Sequence, residues 1–296
     1  MNPLRIGYVP EHFSTPLLEL AKEDGGQTFT LVKCPAGTGE MISRLTANEI
    51  DISIALTESL IAGIVNGSKA YKMIGSYVSS PLNWAVITGL DTQFHSIADL
   101  RGQKCGVSRI GSGSQVMAQV MADQQGWTDN EGRPEAMDFV VNGSFERLRQ
   151  SVNDGSTAYF MWEHFTTKPY LSEVRFIGSV PTPWPSWAIA ASAPTLASTA
   201  SKSQVREILH RLEAKVNEFD SETSRKKNSG DLVEKEFGYP RTDVEAWLQT
   251  VSYFSKLEGM DKNMILTTLE TLTKAGVVTV PEGGWTIEGE ILASLD

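Results

Sequence analysis

Two histidines in this chain follow carboxylates, His12 after Glu11 and His164 after Glu163, and a third carboxylate, Glu58, follows Thr57. Imidazole moves protons near neutral pH, and a carboxylate beside it fixes the tautomer and raises the pKa, so these residues are the candidates for acid–base chemistry. Each has a plainer reading. His12 equally suits a loop histidine bonded to backbone, Glu58 a charge that stabilises its own helix start, and consecutive residues such as Glu163 and His164 point in different directions on a helix. A second chemistry lies in Gly111-Ser112-Gly113-Ser114, just after the apolar segment Cys105-Gly106-Val107 and Arg109. A tract of this kind leaves backbone N–H groups at a helix N-terminus, where the macrodipole favours an anion. The alternative is a strand–helix turn capped by Ser112 or Ser114 with no ligand. A helix N-terminus supplies about 0.3–2 kcal/mol, whereas micromolar binding requires about 8 kcal/mol. The remainder would come from burying a ligand against Trp84, Trp184 and Trp187, and from Arg109.

Composition narrows the function classes. The 296 residues suffice for two domains of ordinary size, each with its own core. The net charge of −10 opposes nucleic acid and anionic membranes as partners. No apolar run is long enough for membrane insertion, and the first residues enter a strand-like segment without a signal-peptide pattern, so a cytoplasmic location is expected. Without export, the sequons at Asn66 and Asn142 are not expected to be used. The two cysteines, Cys34 and Cys105, lie far apart in apolar surroundings and read as reduced thiols. No HExxH or CxxC spacing supports a metal site, and no GxSxG elbow, Walker loop or dinucleotide GxGxxG occurs, since Val116 takes the third glycine position. No cofactor is implied.

The elements that would position these residues alternate between strand and helix. Leu4–Val9, Phe29–Lys33 and Asp51–Leu56 read as strands, with helices from Ser14, Thr38 and Thr57. Trp84–Thr88 is a strand leading out of this first unit. Lys104–Ser108, Met137–Val141, Thr157–Met161 and Val174–Gly178 then repeat the alternation, with helices at Gln115–Gln125 and Phe145–Val152, and Trp187–Ala191 is a return strand. Two extended segments bracketing an α/β unit imply a two-segment hinge, with one lobe of 1–88 plus 190–296 and another of 89–189. The rest is helical. Val205, Ile208, Leu209, Leu212, Val216 and Phe219 stripe one long helix. Ser221–Gly230 reads as a loop or fraying end, Thr242–Glu245 as a capping box, and Asp261–Ala275 as a helix ending at Gly276.

The order of elements, D-L-R-G-Q-K-C-G-V with its G-S-G-S helix start, N-E-I-D-I-S-I-A-L-T-E-S (Asn48–Ser59) and W-A-I-A-A-S-A-P-T-L (Trp187–Leu196) resemble the type 2 periplasmic-binding-protein fold. The resemblance is to the branch that holds substrate-binding proteins for sulfonates, nitrate and thiamine-pyrimidine precursors together with the fungal thiamine-pyrimidine synthases. Within that branch it points to a functionally uncharacterised cytosolic fungal family. It implies an α/β fold of two lobes, each a mixed, mainly parallel sheet flanked by helices. The synthases' cysteine-rich iron motif has no equivalent here, which puts their reaction in doubt, and the missing export signal does the same for a transport role.

In such a fold, ligands sit at the carboxyl ends of the strands, between lobes. The first lobe would offer Glu11, His12, Thr38, Gly39, Thr57 and Glu58. The second would offer Arg109, Ser112, Gly113, Ser114, Asn142, Trp162, Glu163 and His164, with Trp84, Trp184 and Trp187 at the crossings. The function expected is intracellular binding of a small polar or anionic metabolite with hinge closure, related through the resemblance to thiamine-precursor or sulfonate metabolism. Two alternatives remain open: a cytosolic enzyme using His12 or His164 as acid or base, and a regulatory protein whose ligand-driven closure a partner reads.

Overall fold

The computed structural model describes residues 2–296. They fall into two compact units: the chain up to Pro81 with Trp184–Ile265 and Thr286–Asp296, and Leu82–Pro183 with Leu266–Trp285. Unit 1 begins with β1 (Leu4–Tyr8), α1 (Thr15–Asp24), β2 (Phe29–Lys33), α2 (Thr38–Thr46), β3 (Ile52–Leu56), α3 (Thr57–Val65) and β4 (Tyr71–Val78). Unit 2 follows with β5 (Asn83–Gly89), β6 (Cys105–Val107), α4 (Gly113–Gln124), β7 (Phe139–Val141), α5 (Phe145–Asn153), β8 (Tyr159–Glu163), α6 (His164–Thr167) and β9 (Val174–Pro181). The chain returns to unit 1 through β10 (Trp187–Ser192), α7 (Ala193–Ala197) and α8 (Thr199–Asp220). Then come α9 (Glu222–Lys227), α10 (Ser229–Phe237), α11 (Arg241–Leu248) and α12 (Lys262–Lys274).

Each unit carries one five-stranded sheet, in the orders β2-β1-β3-β10-β4 and β7-β6-β8-β5-β9. β10 is antiparallel to both β3 and β4, and β5 to both β8 and β9, while the other pairs are parallel. In each sheet, therefore, four strands run one way and one is reversed. Parallel neighbours need crossovers of a dozen or more residues, which the intervening helices provide. These are the mixed, mainly parallel sheets of a type 2 periplasmic-binding-protein fold.

The reversed strands also mark the division of the chain. Trp84–Ile87 pair with β8 and β9, and Trp187–Ala191 with β3 and β4. Residues 82–88 accordingly belong to unit 2 and 184–189 to unit 1, and 266–285 join unit 2. The chain passes between units four times, where the sequence pattern suggests two.

Three local features differ from expectation. β4 went unanticipated because seven of its eight residues are buried, so it lacks the alternation that marks a half-exposed strand. Ser221–Gly230, expected as a loop or fraying helix end, holds α9 and the start of α10. Ser221 Oγ accepts from the Ser224 N–H at 3.2 Å, and Arg225 pairs with Asp220 and donates to the Val251 carbonyl at 2.7 Å. The expected capping box at Thr242–Glu245 is not used, because α11 already begins at Arg241 after Pro240, whose ring presets the helical entry without an N–H. The α8 stripe is buried as its 3.6-residue period requires.

Asp24 ties α1 to α8. Its carboxylate accepts from Thr28 N at 2.9 Å, Thr28 Oγ1 at 2.5 Å and Arg211 Nη1 at 2.7 Å. Burial would raise its pKa, but the hydrogen bonds from Thr28 and Arg211 outweigh that and hold it well below the usual carboxylate range. Asp24→Ala strands these donors and is expected to lower the unfolding free energy by about 3 kcal/mol. Urea denaturation at pH 7 checks this, and in the wild type the contribution fades as pH falls below the ordinary Asp pKa. An unchanged midpoint would contradict the assignment.

Candidate functional site

In unit 1 the carboxyl ends of β1 and β3 share a sheet edge with the start of β10, because β1 and β3 are parallel and β10 is reversed. β1 runs into a single 3-10 turn, His12–Ser14. Two buried tyrosines hold that turn, Tyr77 and Tyr253, whose hydroxyls both donate to the Phe13 carbonyl at 3.0 and 3.1 Å. The His12 ring lies edge-on to Trp247 and Tyr239, at 4.5 and 5.3 Å, and tilted on Phe13 at 4.3 Å. Burial in this aromatic setting lowers its pKa to about 3. An imidazole that stays neutral down to that range is poorly matched to proton transfer near pH 7, so packing is the role the structure gives His12.

Thr38 opens α2, and its hydroxyl accepts from the Leu56 N–H at 3.0 Å, tying α2 to the end of β3. Gly39 follows it on the helix. Leu56 leads directly into α3, where Thr57, Glu58 and Ser59 are all buried. The Thr57 N–H donates to the Ser186 carbonyl at 3.0 Å, and Ser186 Oγ donates to the Ser80 carbonyl at 2.8 Å, so the segment before β10 is fastened to the α3 start. Trp184 completes the link, its Nε1–H donating to Glu58 Oε2 at 2.8 Å. Glu58 is fully buried, and loss of hydration raises its pKa to about 7, against the opposing effects of its own backbone N–H and Trp184. Among the described residues, Glu58 Oε1, Thr57 Oγ1, Ser59 Oγ and Trp187 Nε1 have no hydrogen-bond partner. Trp187 stands opposite Leu56 in the sheet, and its ring lies 5.4 Å from Phe13. Thr57, Glu58 and Ser59 follow β3 directly and Trp187 pairs with its last residue, so four buried polar groups belong to this strand end, each costing roughly 1–3 kcal/mol while unpaired.

Unit 2 repeats this plan. Its reversed strand carries Trp84 as its second residue, opposite Glu163 at the end of β8, and Trp84 Nε1 is another buried donor without a partner among the described residues. Glu163 is buried and its pKa is raised to about 7 by desolvation, opposed by the backbone N–H groups of residues 164–166. Its Oε2 accepts from Thr166 N at 2.6 Å, so it caps the short helix α6. The His164 ring rests near Phe165 and Phe176, at 5.0 and 5.1 Å. Trp162 stacks on Phe145 at 5.0 Å, against the cluster of Ala85, Ile87, Leu148 and Phe160, and so serves core packing.

After β6, Arg109 is half-buried and Gly111 takes a left-handed φ of 78°. Ser112 caps α4, accepting from Gln115 N at 3.4 Å and sharing a 3.0 Å hydrogen bond with Ser114 Oγ. The Gly111 N–H donates to Gln115 Oε1 at 2.6 Å. The tract with Gly113 is therefore a helix start that already satisfies part of its own donor set. Asn142 follows β7, and its buried Oδ1 has no partner among the described residues. It would lie 2.8 Å from a Cβ on Gly106, which explains a glycine there. Among the described residues no group of three or more His, Cys, Asp or Glu could hold a metal ion, and no helix is long and apolar enough to cross a membrane. Cys34 and Cys105 are buried and not joined in a disulfide.

The unit-2 residues 84–180 match the family model of Ca3427-like PBP. Over nearly the whole chain the structure resembles the Candida albicans CA3427 protein, with 33% identity, 95% of this chain and 92% of that one covered, and a TM-score of 0.84. The chain belongs to the CA3427 family. That family is described as exhibiting the generic periplasmic binding protein structural fold. Its wider fold relatives include two sulfonate-binding proteins at 16% identity. One is the periplasmic aliphatic sulphonate binding protein SsuA of Escherichia coli, with 92% and 86% coverage and a TM-score of 0.64. The other is the alkanesulfonate-binding protein SsuA of Xanthomonas axonopodis pv. citri bound to MOPS, with 94% and 95% coverage and a TM-score of 0.70. No curated protein matches the chain.

In this CA3427 family member, residue patterns alone missed the aromatic setting of His12, to which Tyr239 and Trp247 come from a distant segment, and the tyrosines Tyr77 and Tyr253 that hold the Phe13 carbonyl.

Burying Glu58 has a pH signature. Its raised pKa means folding favours the protonated acid, so its contribution is intact below about pH 4.5 and declines as pH rises towards 7. Glu58→Gln is expected to leave stability nearly unchanged at pH 4.5 and to raise it by up to roughly 3 kcal/mol at pH 8. Thermal unfolding at the two pH values checks this, and equal effects at both would refute it.

Proposed function

We propose that this protein binds a small metabolite carrying an oxyanion or another strong hydrogen-bond acceptor, held at the strand ends of unit 1. The observation that carries this reading is the set Thr57, Glu58, Ser59 and Trp187: buried polar groups at one sheet edge, without partners among the described residues. A fold that retains several such groups gives up stability that a ligand can restore. The set is rich in neutral donors, which suits an acceptor-rich ligand. Phe13 and Trp187 add aromatic surface against which an apolar portion could be buried.

Of the two metabolic settings, a sulfonate-like ligand has the better support, because the fold relatives named above are sulfonate-binding proteins. A thiamine precursor has only the sequence resemblance. Two buried cysteines not joined in a disulfide suit a reducing compartment, and we place the activity in the cytoplasm. Binding is preferred to catalysis because His12, one of the two histidines considered for acid–base work, is held neutral by burial.

Native mass spectrometry of gently purified protein, followed by denaturation and identification of the released molecule, tests this directly. A stoichiometric oxyanion is expected to reappear unchanged after incubation with the pure compound, and conversion would instead indicate an enzyme. Trp187→Phe keeps the ring and removes the N–H, and should weaken binding of that compound about tenfold, near 1.4 kcal/mol. A clean apo mass, together with no thermal shift from alkanesulfonates, phosphonates or carboxylates, would refute the proposal.

A further inference from the structure

Glu58 differs from the other buried polar groups of unit 1 in that its two oxygens are unlike. Oε2 is committed as an acceptor, because an indole N–H can only donate and Trp184 Nε1 lies 2.8 Å away. Oε1 is fully enclosed and has no partner among the described residues. A proton on this carboxyl is therefore placed on Oε1, in the first turn of α3. We propose that Glu58 works as a neutral carboxylic acid whose Oε1–H donates to an oxyanion of the bound metabolite, so that anion binding is coupled to uptake of a proton. This deepens the ligand-binding reading above and rests on it.

The alternative, a carboxylate that repels the anion, needs a cation nearby to be tolerated in such a site. The elements packed against α3 are α2, β3, β4 and β10. Their titratable side chains are Glu40 and Arg44 on α2, and Tyr71, Lys72 and Tyr77 on β4. Glu40 and Arg44 pair with each other at 3.0 Å, Tyr71 donates to the Leu60 carbonyl, Lys72 to the Gly289 carbonyl and Tyr77 to the Phe13 carbonyl. β3 and β10 carry none. At the neighbouring strand end stand Glu11 and His12, and His12 is uncharged near neutral pH. Burial is the leading influence on Glu58 and puts its midpoint at about 7, with no charged group contributing to the shift. An arriving anion, itself negative, raises that midpoint further. The free protein thus exchanges the proton near neutrality and the complex keeps it.

Ethanesulfonate is the probe, since it stays anionic throughout the pH range and any proton taken up belongs to the protein. Isothermal titration at pH 8 in two amine buffers of different ionisation enthalpy should show close to one proton absorbed per sulfonate bound. Its dissociation constant should rise towards tenfold for each pH unit above about 7. Glu58→Gln should lose the proton uptake and flatten the pH dependence to within twofold, at weakened affinity. Difference infrared spectra of the free wild-type and Glu58→Gln proteins should show a carboxylic acid band at pH 6 that is lost by pH 8.5. Binding without proton uptake, or uptake that persists in Glu58→Gln, overturns the donor role. A carboxylate band for Glu58 already present at pH 6 overturns it even if no anion binds. Absence of ethanesulfonate binding with the acid band intact instead counts against the oxyanion reading on which the donor role rests.

Discussion

The indole N–H of Trp184 meets Glu58 Oε2 at 2.8 Å, inside a region from which water is excluded. Moving a carboxyl wholly out of water is costly unless it is neutral or well bonded, and here one oxygen is bonded and the other is not. The contact joins the segment that returns from unit 2 to the first turn of α3, and Thr57 N–H to the Ser186 carbonyl fastens the same two pieces of chain. What surrounds it follows from that junction. β10 enters the sheet in reverse with Trp187 opposite Leu56, the Phe13 ring lies against Trp187, and the tyrosine pair on the Phe13 carbonyl holds the end of β1 in place.

The same construction occurs twice. Both sheets have four strands in one direction and one reversed, and both reversed strands carry a buried tryptophan in their first two residues, Trp187 and Trp84, facing the end of a parallel strand. The carboxyls nearby are used differently. Glu163 spends an oxygen on the backbone of its own short helix, as a cap, while Glu58 meets an indole from another segment. A capping carboxylate satisfies a local orphan donor, whereas a carboxyl fixed by a distant indole keeps its second oxygen for another purpose. This contrast is why unit 1 carries the argument for function within a CA3427 family member.

Much of this was legible in the residues. Alternating strand and helix periods located β1, β2, β3, β5 and the long α8 closely, and the apolar run from Trp187 marked the return strand. Thr57, Glu58, Trp184 and Trp187 stand out as candidates because they follow or precede those strands. The pairing of Glu58 with Trp184, 126 positions apart, was not, since nothing local encodes a contact made by sheet topology. For the same reason His12 looked like a candidate base. Its chemistry is set by Trp247, Tyr239 and Phe13, and only Phe13 is near it in sequence. β4 escaped because a strand buried on both faces has no alternation, and Ser221–Gly230 could be read only as a loop or fraying helix end because its helices depend on Ser221 and Arg225 contacts rather than on an apolar face.

The central claim is that the polar edge of unit 1 receives an oxyanion. Indole ¹H–¹⁵N correlation spectra report it directly, with the seven tryptophans assigned by substitution. Under titration with ethanesulfonate, the account predicts a large downfield shift of the Trp187 indole proton, a smaller change at Trp184 relayed through Glu58, and little movement at Trp127, which lies in the other unit away from its strand ends. A binding curve followed by any other signal while the Trp187 and Trp184 resonances stay fixed would contradict it.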